Sequence, residues 1–178
     1  MKKIISLLSI FLLSCTNTVN LISCGNIANN KKPYLPPTKP NKPIIKDVFY
    51  YEKLKQEITA ETKEYDEIIK EFENSKNDYE NETDYQTELK QTQAEKFIKM
   101  SELNNCEYQI LLCQKENKFT EEQKQQAIKL LENQINNLNS ALNLLNEIKN
   151  SDFDQKDLEK IQTKFKNTKI ILDEIKNN

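Results

Sequence analysis

Few side chains in this sequence are equipped for chemistry, and the thiols come first. The four cysteines are Cys15, Cys24, Cys106 and Cys113. A thiol can enter a disulfide, hold a metal or carry an acyl group, and spacing helps decide between these. Cys106 and Cys113 fall on one expected helix, where seven residues separate the Cα atoms by about 10.5 Å. A disulfide tolerates about 7 Å, so these two do not bridge each other. They read instead as small core residues in the apolar stripe with Leu103 and Ile110. The next candidates are the carboxylates Glu57, Glu61, Glu64, Glu67 and Glu71. The chain has no histidine and no Asp-rich calcium loop, so these acids read as a solvated helix face. Asp66 with Lys70, and Lys63 with Glu67, sit at the i,i+4 spacing of surface ion pairs. There is no Gly-rich phosphate loop and no glycine-built nucleophile elbow. The expectation is a non-enzymatic protein with no cofactor and no metal.

The elements that position these residues are helices. All five prolines lie between Pro33 and Pro43, and the single glycine is Gly25. Residues 47–178 therefore lack both helix breakers and are rich in Glu, Lys, Gln and Leu. Charge is polarised along the chain. Residues 1–46 carry seven lysines and no acid, whereas residues 47–116 carry nine lysines and eighteen acids. An acidic folded part without arginine disfavours nucleic acid as a partner.

Hydrophobic spacing sets the helices. Ile128, Leu131, Ile135, Leu138, Leu142 and Leu145 advance by alternating steps of three and four, the signature of one helix face. Ala127, Leu130, Ala141, Leu144 and Ile148 widen that face toward a bundle rather than a two-stranded coiled coil. Thr120 to Gln123 reads as a capping box, and Asn150 and Ser151 end the element. Leu158, Ile161, Phe165, Thr168, Leu172 and Ile175 repeat the rule, with Asp154 as N-cap. Upstream, Tyr51, Leu54, Ile58, Tyr65, Ile68 and Phe72 share a face that Glu61 interrupts. Leu89, Phe97, Met100, Leu103, Cys106, Ile110 and Cys113 form a noisier stripe. Residues 74–84 are rich in Asn, Asp and Ser and read as a break; the alternative is one continuous helix over 47–116, since Tyr79 stays in phase with Phe72. The expected fold is all-α: an antiparallel up-down, coiled-coil-like bundle of four helices at about 47–74, 84–116, 121–149 and 155–176.

The N-terminus has a different character. Lys2 and Lys3 precede the apolar run Ile4–Leu13, too short for the roughly 20 residues a membrane span needs but suited to a signal peptide. Read as an uncleaved span, residues 4–22 would carry Asn17 and Asn20 into the bilayer. Leu21, Ile22, Ser23 and Cys24, followed by Gly25, resemble a bacterial lipobox, and the leader is similar to those of lipoproteins from cell-wall-less mollicutes such as spiroplasmas. The resemblance covers residues 1–26. It implies a diacylglyceryl thioether on Cys24 and removal of residues 1–23. Leu12–Cys15 also fits the pattern, so Cys15 is the alternative acylation site; Cys24 is preferred because a polar spacer then separates it from the apolar run. Residues 24–46, with all five prolines and five lysines, read as a disordered Pro/Lys-rich spacer, and residues 47–178 as the folded domain.

The expected role is that of a lipoprotein anchored to the extracellular face of the cell membrane, whose bundle binds a protein partner, foreign or a second copy of itself. Tyr50, Tyr51, Tyr65, Tyr79, Tyr85 and Tyr108 are candidates for a contact surface. The alternative is a structural, self-associating coiled-coil protein of the envelope. A solute-binding accessory role fits less well, because the domain is small and has no two-lobed α/β pattern. No small-molecule substrate is expected.

Overall fold

The computed structural model describes residues 46–76, 79–115, 117–148 and 155–177. They form four helices: α1 (Val48–Asn74), α2 (Glu82–Gln114), α3 (Glu121–Glu147) and α4 (Gln155–Asn177). The all-α bundle is the one the spacing predicts, with neighbours antiparallel along the chain. The leader, most of the spacer and Asp154 lie outside the described residues.

Side chains fix the helix starts. The Asp47 carboxylate accepts from the Tyr50 N–H, and the Asn81 side chain accepts from the Thr83 N–H. At α3 the expected capping box is complete, with Thr120 and Gln123 each accepting the other's backbone N–H. The break in the Asn/Asp/Ser segment is real. Ser75 closes α1 by donating its N–H to the Glu71 and Phe72 carbonyls, and Tyr79 packs between Phe72 and Tyr85, with ring centroids 6.4 and 5.3 Å away.

Packing builds one apolar core from three helices. Ala94 of α2, Leu138, Ala141 and Leu145 of α3, Ile148 just beyond it, and Ile161 of α4 are buried together. A second cluster joins Tyr108 and Leu111 of α2, Ala127, Leu130 and Leu131 of α3, and Leu172 of α4. α3 contributes most, as its unbroken stripe requires. Helix α1 enters neither cluster and packs on α2 alone in any extent.

The noisy stripe of α2 follows from this arrangement. From Leu89 to Leu112 every residue is at least partly covered, because α2 has neighbours on two sides. Ala94, Ser101 and Tyr108 are seven apart and therefore share a face, and Ala94 and Tyr108 belong to the α3–α4 core. Tyr85, Thr92 and Cys106 are buried on a second heptad row. Small and hydroxyl-bearing residues let the helices approach closely, and the hydroxyls of Thr92 and Ser101 donate to carbonyls of their own helix, so neither is left unsatisfied.

Candidate functional site

Three ion pairs cross the seam between α1 and α2. Only Ile58 of α1 is fully buried. Around it, Lys55 Nζ lies 3.0 Å from a Glu107 carboxylate oxygen, Lys96 Nζ 2.5 Å from Asp66, and Lys99 Nζ 2.7 Å from Glu61. Glu61 Oε2 is buried and meets the ammonium charge to charge, outside hydrogen-bonding alignment. Lys99 also lies 3.6 Å from Glu102, whose other oxygen is 3.2 Å from Lys164 of α4. A chain of alternating charges thus runs from α1 across α2 to α4.

Two of the expected surface features turn out otherwise. Asp66 does not pair with Lys70 but reaches across to Lys96, because the neighbouring helix offers a less exposed cation. Glu61, which breaks the apolar stripe of α1, stands opposite Lys99. The carboxylates of α1 are therefore only partly a solvated face. The signal was present in the sequence: an acid inside an apolar stripe, and two lysines, Lys96 and Lys99, beside the Phe97 and Met100 positions of the next helix.

Within the seam the Tyr65 hydroxyl donates to Glu95 at 3.3 Å. Burial, with the Glu95 charge added, pushes the Tyr65 phenol well above its ordinary range. Burial also raises the Glu95 carboxyl, against the opposing pull of Gln91, Tyr65 and Lys99. At the turn, Tyr79 is pushed up to about 12, by burial first and then by donating to Glu88. The hydrogen bond to Glu107 raises the Lys55 ammonium. A raised carboxyl beside a tyrosine hydroxyl is a pattern that acid–base chemistry uses. Here the pair is pressed between two helices, and two shallow hollows among the described residues lie elsewhere: one along Glu52, Lys55, Gln56 and Lys63 of α1 alone, the other beside Lys90 and Glu147. A hollow lined by one helix is a helix face and does not enclose a ligand. The Tyr65–Glu95 pair serves the seam. Among the described residues no group of three or more His, Cys, Asp or Glu side chains is placed to hold a metal ion.

The cysteines separate. Cys106 is buried at 2 % exposure, but Cys113 is exposed, against the expectation that both are core. Cys113 sits in the last turn of α2, opposite the point where α1 begins, with its Sγ 4.0 Å from the Lys46 carbonyl. Beyond Val48 no α1 residue remains to cover it. The tyrosines divide between core and partial cover. Tyr85 and Tyr108 are buried, and Tyr50, Tyr51, Tyr65 and Tyr79 are partly so. Among the described residues the large apolar side chains that face solvent are Phe49, 79 % exposed, and Ile170, 56 % exposed. No described helix is long and apolar enough to cross a membrane. The proposed lipidation residues Cys24 and Cys15, with Leu21, Ile22 and Ser23, lie outside the described residues.

Compared with protein-family models, curated proteins and solved structures, the chain matches none.

Proposed function

We propose that this chain is a surface lipoprotein, held on the outer face of a mollicute-type cell membrane by lipid on Cys24, whose helical bundle binds another protein without catalysis. The observation that carries this reading is the run Leu21-Ile22-Ser23-Cys24-Gly25 behind Lys2, Lys3 and the apolar stretch Ile4–Leu13. A diacylglyceryl group supplies two acyl chains, which anchor stably where one holds only marginally. Among the described residues Phe49, in the first turn of α1, and Ile170, on α4, are large apolar groups facing water, and they are the first side chains to probe as partner contacts.

Labelled palmitate fed to cells making the chain tests the anchor, with Cys24→Ser, Cys15→Ser and the double variant side by side and protease added to intact cells. The expected outcome is loss of label in Cys24→Ser and removal of the bundle by protease. Label that persists in the double variant, or a bundle that survives the protease, overturns the proposal.

A further inference from the structure

We propose that α1 is a releasable strap: it separates from α2 as one helix while α2, α3 and α4 stay folded. Three observations lead there. The apolar clusters of the bundle are complete without α1, whose one fully buried residue is Ile58. What joins α1 to α2 is a stripe of half-buried apolar side chains, Tyr51, Leu54, Tyr65, Ile68 and Phe72, around Ile58, bordered by the ion pairs Lys55–Glu107, Lys96–Asp66 and Lys99–Glu61. Both partners are acidic overall, with eight acids against four lysines in α1 and six against three in α2. Two helices of like net charge repel unless cations are placed between them, and Lys55, Lys96 and Lys99 occupy those places. The segment joining the two helices, residues 75–81, has neither proline nor glycine. It is held by the packing of Tyr79 between Phe72 and Tyr85, by the Tyr79–Glu88 hydrogen bond and by the Lys76–Glu82 ion pair. Partial openings of this kind take place where buried apolar contact is least.

Release has a defined chemical consequence. The Cys106 thiol, 2 % exposed, lies within electrostatic reach of Tyr51 and Lys55 of α1. It sits on the α2 row that α1 covers, so lifting α1 opens it to solvent. Cys106 therefore reports on the strap.

The test uses the full chain carrying Cys15→Ser, Cys24→Ser and Cys113→Ser, in which Cys106 is the one remaining thiol. Its rate of reaction with a water-soluble maleimide is measured with and without Lys96→Gln and Lys99→Gln. Amide hydrogen exchange is followed over α1 and α3 in the same samples. Removing two seam cations is expected to accelerate Cys106 labelling about tenfold or more, with α3 exchange unchanged. In the chain without the lysine changes, α1 amides are expected to exchange faster than those of α3. Equal protection of α1 and α3 there, acceleration of α3 together with Cys106, or unchanged Cys106 labelling would each overturn the proposal.

Discussion

The bundle contains two kinds of helix contact, and α2 takes part in both. Toward α3 and α4 it presents Ala94, Tyr108 and Leu111 to an apolar core. Toward α1 it presents Lys96, Lys99 and Glu107 to carboxylates and a lysine. Apolar burial contributes roughly 25 cal/mol per Å² and is not weakened by salt in the way charge pairs are. Partly exposed ion pairs contribute about 0–1 kcal/mol each and depend on their surroundings. The first contact thus carries most of the fully buried apolar surface, while the second combines half-buried apolar groups with charge and sets how firmly α1 is attached.

The largest effect should come from the core. Leu138 is fully buried, and Leu138→Ala should lower the stability of the whole domain by about 2–5 kcal/mol, read by denaturant unfolding. If unfolding followed by a probe in α1 shifted while a probe in α3 did not, the contrast between the two contacts would be reversed. A matched pair of cap deletions sharpens it. Thr120→Ala and Asp47→Ala each remove an N-cap worth about 1 kcal/mol. The first should shift global unfolding, and the second should raise hydrogen exchange within α1 alone.

The smallest effect concerns Glu95. Its folded-state proton is held more tightly than in the unfolded chain, whose ordinary value is 4.5, because burial disfavours the charge. For an acid raised in this way the ionised form burdens the fold. Stability attributable to Glu95 is gained as pH falls through its raised value and is complete below 4.5. Glu95→Gln removes that burden and keeps an acceptor for Tyr65, so the seam should strengthen at neutral pH by up to about 1 kcal/mol. Its pH dependence across that window should flatten, as read by hydrogen exchange of α1. A seam weakened by Glu95→Gln at neutral pH would show that the carboxylate charge itself holds the helices together.

How far the sequence could be read differs along the same line. The α3 stripe and its Thr120–Gln123 box were legible because a helix buried on one face keeps a single period. The four helices begin and end within about two residues of their expected bounds where those bounds are described. The α2 pattern was blurred because a helix buried on two sides superimposes two stripes, and its closest contacts use Ala94, Ser101 and Thr92, which no hydrophobicity rule selects. Glu61 was visible as an interruption, but its partner lies in another helix, thirty-eight positions along the chain at Lys99. Pairing across such a distance is a property of register, and register is fixed only when the helices dock. Cys113 was assigned to the core by periodicity alone, which cannot tell where the covering helix stops.

The up-and-down alternation of four helices has a directional consequence. An even number of passes returns the chain to the side it came from, so Lys46, the α2–α3 connection and the last turn of α4 gather at one pole. The α1–α2 turn around Tyr79, Ile148 at the end of α3 and the start of α4 sit at the opposite pole, about 40 Å away for helices of 27 residues. A molecule that approaches from the Tyr79 side therefore meets the α1–α2 turn and the end of α3, and reaches neither Lys46 nor the last turn of α4.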